Sequence, residues 1–103
     1  MEVKELLALT IKNKASDLHL LANIQPTIRI DGVLRYLTNY PVLTGEDIEQ
    51  MIFTLLTPEQ KELLLTNKEL DFSFGYNNGV NPAEAGRFRV NAYFQRGYLS
   101  AAL

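Results

Sequence analysis

Two arginines spaced two residues apart give this sequence its most distinctive chemistry. Arg87 and Arg89 stand in the run GRFRVNAYFQRG, residues 86–97, in which apolar and polar side chains alternate. Alternation with period two is typical of a β-strand with one buried and one open face. Both guanidinium groups would then project from the open face, about 6–7 Å apart at roughly 3.3 Å of rise per residue. That spacing suits a phosphate chain or paired carboxylates, because each guanidinium can donate two hydrogen bonds.

The same pattern has a simpler explanation. Arginines on the open face of an antiparallel strand are commonly solvated, and ion pairs at a protein surface add little stability. Spacing alone therefore favours solvated arginines over a binding site. The alternate side chains of the run are expected to close a core: Phe88, Val90, Ala92 and Phe94.

No other residues form a recognisable active site. The sequence contains no G-x-x-x-x-G-K-[ST] loop, so it has no backbone cradle of its own for nucleotide phosphates. His19 is the only histidine, and with the single nearby carboxylate of Asp17 it offers too few ligands for a metal. We expect a structural role for His19, with a part in domain contacts as the alternative. Two pairs of carboxylates lie close together in sequence, but both pairs fall on polar faces of predicted helices. We expect them to be solvated: Glu46 with Asp47, and Glu59 with Glu62.

Length and composition indicate one globular domain, residues 1–103. A chain of this length can bury a modest core, and 47% hydrophobic with 21% charged residues is ordinary globular usage. The net charge of −2 provides no field that would attract nucleic acid or acidic lipid. Cysteine is absent, and no apolar run approaches the roughly 20 residues of a membrane span. We therefore expect a cytoplasmic protein without nucleic-acid partners.

Periodicity predicts the order helix, three strands, two helices, three strands. The first helix buries one apolar face, and Thr44 and Thr57 each begin a later helix with a capping box. A curved, mainly antiparallel sheet with helices packed on one face accommodates this order, which is an α+β fold. The apolar faces of the first two helices are expected to be formed by Val3, Leu6, Leu7, Ile11, Ile48, Met51, Ile52, Leu55 and Leu56. The third helix is expected to run through Leu63, Leu64 and Leu65.

The connections carry expectations of their own. Asp31-Gly32 predicts a two-residue type I′ turn, because both residues tolerate positive φ. Residues 77–86 hold two glycines and a proline, which predicts a flexible hairpin loop. The sequence ends within an alternating strand pattern, so we expect further motifs to lie downstream. In the Asp31-Gly32 hairpin the candidates for burial are Ile28, Ile30, Val33 and Leu37.

Four ordered motifs resemble the N-terminal domain of type IV pilus retraction ATPases, the PilT family. The run ASDLHL at 15–20 looks like a family motif, and PTIRIDG at 26–32 fits the P-x-I-R-x-D-G hairpin. The run ELDFS at 69–73 fits the E-x-D-F-S strand, and GRFRVNAYFQRG resembles the signature near the end of that domain. Together the motifs span nearly the whole chain, which makes the resemblance specific.

The resemblance implies a PAS-like domain that precedes a RecA-like P-loop core absent from this chain. In the family nucleotide lies between the two domains, and arginines of the signature strand approach its phosphates. Carried over by position, Arg87 and Arg89 are the candidate arginine fingers, and Arg96 joins them as a candidate contact to the ATP phosphates. ATP and Mg²⁺ are the implied cofactors of the full-length protein. The fragment alone is expected to be neither an enzyme nor a tight binder of either.

The implied partners are the ATPase cores of the same and of neighbouring subunits in a homohexamer. The pilus machinery of the inner membrane is a further implied partner. Through it the cytoplasmic ring would be peripheral to the inner membrane. Opening and closing of this domain against the core would couple hydrolysis to pilus retraction and twitching motility.

Two alternatives remain open. ATPases of pilus assembly and type II secretion share a similar domain but usually carry extra sequence before it. Here the ASDLHL-like motif begins only fifteen residues from Met1, which favours the retraction type. The alternative from another class is a stand-alone PAS-like sensor or scaffold. A ligand-binding domain of that kind should contain a cavity with convergent polar groups, whereas the inward-facing side chains here are large and apolar.

Overall fold

A six-stranded antiparallel sheet with three helices on one face makes up the part of the chain that the computed structural model describes, residues 2–76 and 86–103. The predicted α+β class and the predicted order of elements are confirmed. None of the helices in these two ranges is long and apolar enough to cross a membrane. The loop predicted over 77–86 lies outside the described residues except for Gly86. The elements are α1 (Val3–Lys12), β1 (Asp17–Leu20), β2 (Thr27–Ile30), β3 (Val33–Tyr36), α2 (Gly45–Phe53), α3 (Pro58–Asn67), β4 (Glu69–Tyr76), β5 (Gly86–Gln95) and β6 (Tyr98–Ala102).

Strands pair in the order β3-β2-β1-β6-β5-β4, which joins two three-stranded meanders. The join is the antiparallel pair β1–β6, in which Leu20 lies opposite Ala101. Leu18 and Leu103 exchange backbone hydrogen bonds of 2.8 Å in both directions at this join. The helices α2 and α3 carry the chain from the edge strand β3 to the opposite edge strand β4.

One face of the sheet and the inner faces of the helices form a single core. Alternation along β5 buries Phe88, Val90 and Ala92, while Arg87 and Arg89 remain exposed, as the sequence predicted. The core also takes both leucines of β1, and Leu99 and Ala101 of β6. Ser100 between them is buried as well. The side chains that are fully buried include Leu6, Leu7, Leu18, Leu20, Ile48, Ile52, Leu64, Val90 and Leu99.

Several side chains expected in the core are less buried than predicted, among them Ile30, Leu37, Leu56 and Phe94, which are half-buried. Val33 is 54% exposed, because the edge strand β3 carries it beyond the cover of the helices. Leu63 and Leu65 are 49% and 40% exposed, since only one of three consecutive helical residues, Leu64, can face the sheet. Ile11 is only half-buried.

Thr10 takes the buried position on α1 that the sequence assigned to an apolar residue. Its side chain is 2% exposed, and its hydroxyl donates a hydrogen bond of 2.8 Å to the Leu6 carbonyl oxygen. A threonine at this position satisfies its polar atom within its own helix, so it can replace an apolar side chain in the core.

Both predicted capping boxes are present. The Thr44 hydroxyl accepts from the Asp47 backbone N–H at 3.0 Å, and the Asp47 carboxylate accepts from the Thr44 N–H at 2.9 Å. Thr57 and Gln60 repeat this exchange at 3.2 and 2.9 Å at the start of α3. Each box satisfies two of the N–H groups that a helix leaves without a partner at its first turn. The starts of α2 and α3 are thus fixed locally.

The hairpin between β2 and β3 turns at Asp31 and Gly32, where φ is 50° and 80°. Positive φ at both central residues is the requirement of a type I′ turn, which confirms the prediction. The Arg29 guanidinium supports the turn by donating a hydrogen bond of 3.3 Å from Nη1 to the Gly32 carbonyl oxygen. The turn between β5 and β6 has the same pattern, with φ of 53° at Arg96 and 82° at Gly97.

Replacing Gly32 by valine is expected to destabilise the domain by about 1–3 kcal/mol, because a β-branched residue is strained at positive φ. No atom of the described residues lies within 4 Å of a Cβ built at this position, so the loss would come from the backbone and not from a clash. Urea denaturation of the wild-type and Gly32→Val proteins measures it.

Gly75→Ala is the control, since Gly75 is an exposed strand glycine without positive φ whose single added Cβ would make only an ordinary contact of 3.9 Å. Equal denaturation midpoints for Gly32→Val and the wild type would contradict the turn assignment.

Candidate functional site

The face of the sheet that the helices leave uncovered carries the polar side chains of β5. Arg89 lies opposite Ser73 of β4, and Arg87 lies opposite Gly75. Both arginines are exposed and project from the same side of the strand, as their spacing predicted. The open face therefore presents two guanidinium groups on one rigid, paired strand.

Arg87 occupies space that Gly75 leaves empty. A Cβ built on Gly75 would lie 3.9 Å from Nη1 of Arg87, so this guanidinium lies over the backbone of β4. A residue with a large side chain at the position of Gly75 would compete for that space. Glycine here lets the arginine lie across the neighbouring strand.

A shallow depression runs across the middle of the open face, next to Arg89. Its floor is the side chain of Ala102 in β6, which lies between His19 of β1 and Asn91 of β5 in the register of the three strands. A small residue between two long ones produces the depression. The residues that line it are Ser16, Asp17, His19, Asp71, Arg89, Asn91, Ala102 and Leu103.

Asp17 is the most highly connected side chain of this depression. Its carboxylate accepts 2.6 Å hydrogen bonds from the Ser16 hydroxyl and from Nε2 of His19, and a 3.2 Å bond from Nε of Arg29. The Ser16 hydrogen bond above all, helped by His19 and Arg29, lowers the pKa of Asp17, although partial burial opposes the shift. Asp17 is therefore an ionised group that ties β1 to β2.

Acidic side chains of β4 also lie near Arg89. Asn91 donates from Nδ2 to Asp71 at 3.1 Å and to Glu69 at 3.4 Å, which holds both carboxylates along the open face. Asp71 and Asp17 line the same depression as Arg89. Their negative charges weaken the attraction that this face has for a polyanion.

Arg96, the third predicted contact to phosphate, lies away from the other two. It sits in the turn between β5 and β6, and seven residues of extended strand place it on the order of 20 Å from Arg89. Arg96 lines a different depression, together with residues 21–23 that follow β1. One phosphate chain cannot contact Arg96 and Arg89 of the same subunit.

His19 lies in the depression with Arg89, which sequence reasoning did not foresee. His19 and Asp17 alternate with the buried leucines of β1, but only the pairing of β1 with β6 brings them near β5. Asn91 and Asp71 were missed for the same reason. The sequence did indicate that Asn91 and Asp71 lie on the open face, since both alternate with core residues on predicted strands. In the described ranges no group of three or more histidine or acidic residues could hold a metal ion.

Comparison with known proteins finds relatives over nearly the whole chain, although no family model matches it. The chain is 40% identical over 95 residues to the type IV pilus retraction ATPase PilT of Pseudomonas aeruginosa, covering 92% of this chain and 26% of that protein. It is 34% identical over 68 residues to a twitching motility protein of Neisseria gonorrhoeae, covering 66% of this chain and 16% of that protein.

The fold matches as well as the sequence. A crystal structure of the pilus retraction motor PilT with bound ADP superposes with a TM-score of 0.84 at 37% identity, over 99% of this chain and 28% of that one. The chain thus spans about a quarter of the length of the PilT proteins that it matches.

Replacing Asp17 by asparagine is expected to lower the free energy of unfolding by about 0.5–1 kcal/mol at neutral pH, the scale of partly exposed ion pairs. The folded-state pKa of Asp17 is lowered, so its contribution is complete above the ordinary aspartate pKa of 3.8 and is lost as pH falls through the folded pKa. The difference between the two proteins should therefore shrink as pH falls below about 4. Urea denaturation between pH 7 and pH 3 measures this dependence.

Glu62→Gln controls for the change in net charge, because Glu62 is an exposed carboxylate on α3 in the helix layer. A difference between wild type and Asp17→Asn that stays constant down to pH 3 would contradict the ion-pair account of Asp17.

Proposed function

This chain belongs to the PilT family of type IV pilus ATPases, and we propose that it is the N-terminal domain of a hexameric ATPase that powers pilus retraction and twitching motility. The match to PilT over 92% of the chain carries the proposal. In the same proposal, residues 1–103 precede a RecA-like P-loop core that lies outside this chain. The site of hydrolysis is then composite, since this sequence contains no phosphate-binding loop.

The part proposed for this domain is to present Arg87 and Arg89 to the phosphates of ATP at the interface with an ATPase core. The paired strand β5 fixes both backbones, and none of the helices in residues 2–76 and 86–103 covers the face from which the side chains project. ADP in the related PilT motor supports a nucleotide in the parent protein. Bound ATP and Mg²⁺ supply the transferable phosphoryl group and neutralise part of its charge.

The two guanidinium groups fit an arginine-finger role. Each is a permanent positive charge with a planar fork of donors, and the backbone positions that carry the two forks are about 6–7 Å apart along the strand. Placed against the γ-phosphate and the leaving group, they would stabilise the charge that develops in the transition state. A rigid strand suits this task, because the donors need little reorganisation when the interface closes.

Arg96 would contact phosphate at a different place from Arg87 and Arg89. Its distance from Arg89, on the order of 20 Å along the strand, excludes a shared phosphate contact within one subunit. As a phosphate ligand, Arg96 would have to meet a second nucleotide of the ring. Arg87 and Arg89 are therefore the residues on which the proposed catalytic role rests.

The proposed cycle is a closing and opening of this domain against the core. Closure would bring Arg87 and Arg89 to the phosphates and exclude water, and hydrolysis would release them, as rigid-body domain closure does in other proteins. The partners are the cores of the same and of neighbouring subunits, and the pilus machinery of the inner membrane. The names of the relatives support a part in pilus retraction and twitching motility. In the proposal the ring acts on the cytoplasmic side of that membrane.

The isolated domain is expected neither to hydrolyse ATP nor to bind it tightly. Exposed arginines supply only weak, salt-screened attraction without backbone donors and Mg²⁺ ligands, and Asp17 and Asp71 weaken it further. Titration calorimetry with Mg-ATP at about 0.15 M salt is the measurement. A low-micromolar affinity that requires Mg²⁺ would contradict the composite site.

Replacing Arg87 or Arg89 by alanine is expected to separate folding from turnover. The stability of the domain should change by less than about 0.5 kcal/mol, because both side chains are exposed. ATP turnover of the full-length ring should fall by roughly 10³–10⁵, the range for loss of a transition-state arginine. Denaturation of the domain and steady-state hydrolysis by the ring give the two readouts.

Two further variants sharpen that experiment. Arg87→Lys and Arg89→Lys should restore little turnover, because an ammonium group does not reproduce the bidentate fork. Lys4→Ala removes an exposed charge from α1 in the helix layer and should leave turnover unchanged. Wild-type hydrolysis by both alanine variants of the full-length ring would end the arginine-finger proposal.

A further inference from the structure

The edge strand β3 exposes an unusual amount of apolar surface for four residues. Val33, Leu34 and Tyr36 are 54%, 53% and 59% exposed, and they lie on both faces of the strand. Single exposed apolar residues are normal, but a run of them on an unpaired sheet edge marks an interaction site or a risk of aggregation. The opposite edge, β4, presents polar residues on its open face and differs in this respect.

The backbone of β3 offers hydrogen bonds on its free side. Ile30 and Val33 flank a two-residue turn and therefore form a hydrogen-bonded pair. From this pair onward, non-hydrogen-bonded and hydrogen-bonded pairs alternate along the hairpin. Leu37 continues this alternation, since its N–H donates to the Pro26 carbonyl oxygen at 2.8 Å. The N–H and C=O groups of Leu34 and Tyr36 consequently point away from β2.

Arg35 determines what this edge can accept. In an antiparallel partner strand that bonds to both Leu34 and Tyr36, the residue between the two bonded positions lies directly opposite Arg35. A second copy of β3 in that register would place Arg35 opposite Arg35, and like charges in such a pair are destabilising. An acidic residue there would be attracted instead. In the described ranges the ion pairs are those of Asp17, so no carboxylate of these ranges pairs with Arg35.

We propose that the β3 edge is a docking site for an extended segment of another protein with an apolar–acidic–apolar core. The segment would add a seventh, antiparallel strand and form four backbone hydrogen bonds, two with Leu34 and two with Tyr36. Its two apolar side chains would cover Leu34 and Tyr36 on the open face, and its acidic side chain would pair with Arg35 on the other. This inference does not depend on the proposed role of the arginines of β5.

A capped heptapeptide of sequence KTVEVTK is the probe, added at up to millimolar concentration to the ¹⁵N-labelled chain. We expect the amide resonances of Leu34 and Tyr36 to shift with saturation, and their hydrogen exchange to slow, because both N–H groups gain partners. The peptide KTVKVTK should bind about two- to fivefold more weakly, the effect of one cross-strand charge pair. The variant Arg35→Glu should reverse this preference.

A backbone control separates strand addition from other kinds of contact. Methylation of both valine nitrogens of KTVEVTK removes the donors that would face β3, and binding should be lost. Three results would overturn the proposal: no shift at Leu34 and Tyr36, full binding by the methylated peptide, or an unchanged charge preference in Arg35→Glu. Sedimentation showing that the chain alone dimerises, with the same two amides protected, would also overturn it by assigning the edge to a second copy.

Discussion

The pairing of β1 with β6 is the interaction on which the rest of the molecule depends. It joins residues near the two ends of the described chain, with Leu18 and Leu103 exchanging backbone hydrogen bonds of 2.8 Å. Without it the sheet would divide into two three-stranded meanders, each with half of the core face. The same pairing places Ala102 between His19 and Asn91 and so produces the depression beside Arg89. A single long-range contact thus closes the core and shapes the open face.

The local structure was largely predictable, because it depends on residues close together in sequence. Thr44 with Asp47 and Thr57 with Gln60 fixed the starts of two helices, and Asp31-Gly32 fixed a turn that only positive φ allows. Alternation along β5 identified the buried and open sides of that strand correctly. These features can be recognised in the sequence without knowing which helices and strands pack together.

What could not be predicted depends on neighbours. The pattern around Val33 is that of a half-buried strand, but β3 is an edge strand beyond the helices and leaves that side chain exposed. The candidate site shows the same limit. Arg87 and Arg89 followed from period two, whereas the approach of Asp17, His19 and Asp71 to Arg89 follows from the strand order, which no local pattern encodes. Arg96 belongs to the same motif but lies in a turn at the far end of the strand.

The division of the sheet into two faces is compatible with the arginine role proposed above for a domain that has no phosphate-binding loop of its own. The buried apolar side chains of the described strands, such as Leu18, Val90 and Leu99, belong to the core under the helices, so charged side chains on the open face do not interrupt that core. On the open face the acids near Arg89 weaken the attraction of the surface for anions. An ATPase core that supplied Mg²⁺ and backbone donors would shift this balance, because desolvation at a closed interface strengthens each guanidinium–phosphate contact. The arginines would then act only when the interface is assembled, which is the condition for coupling hydrolysis to movement.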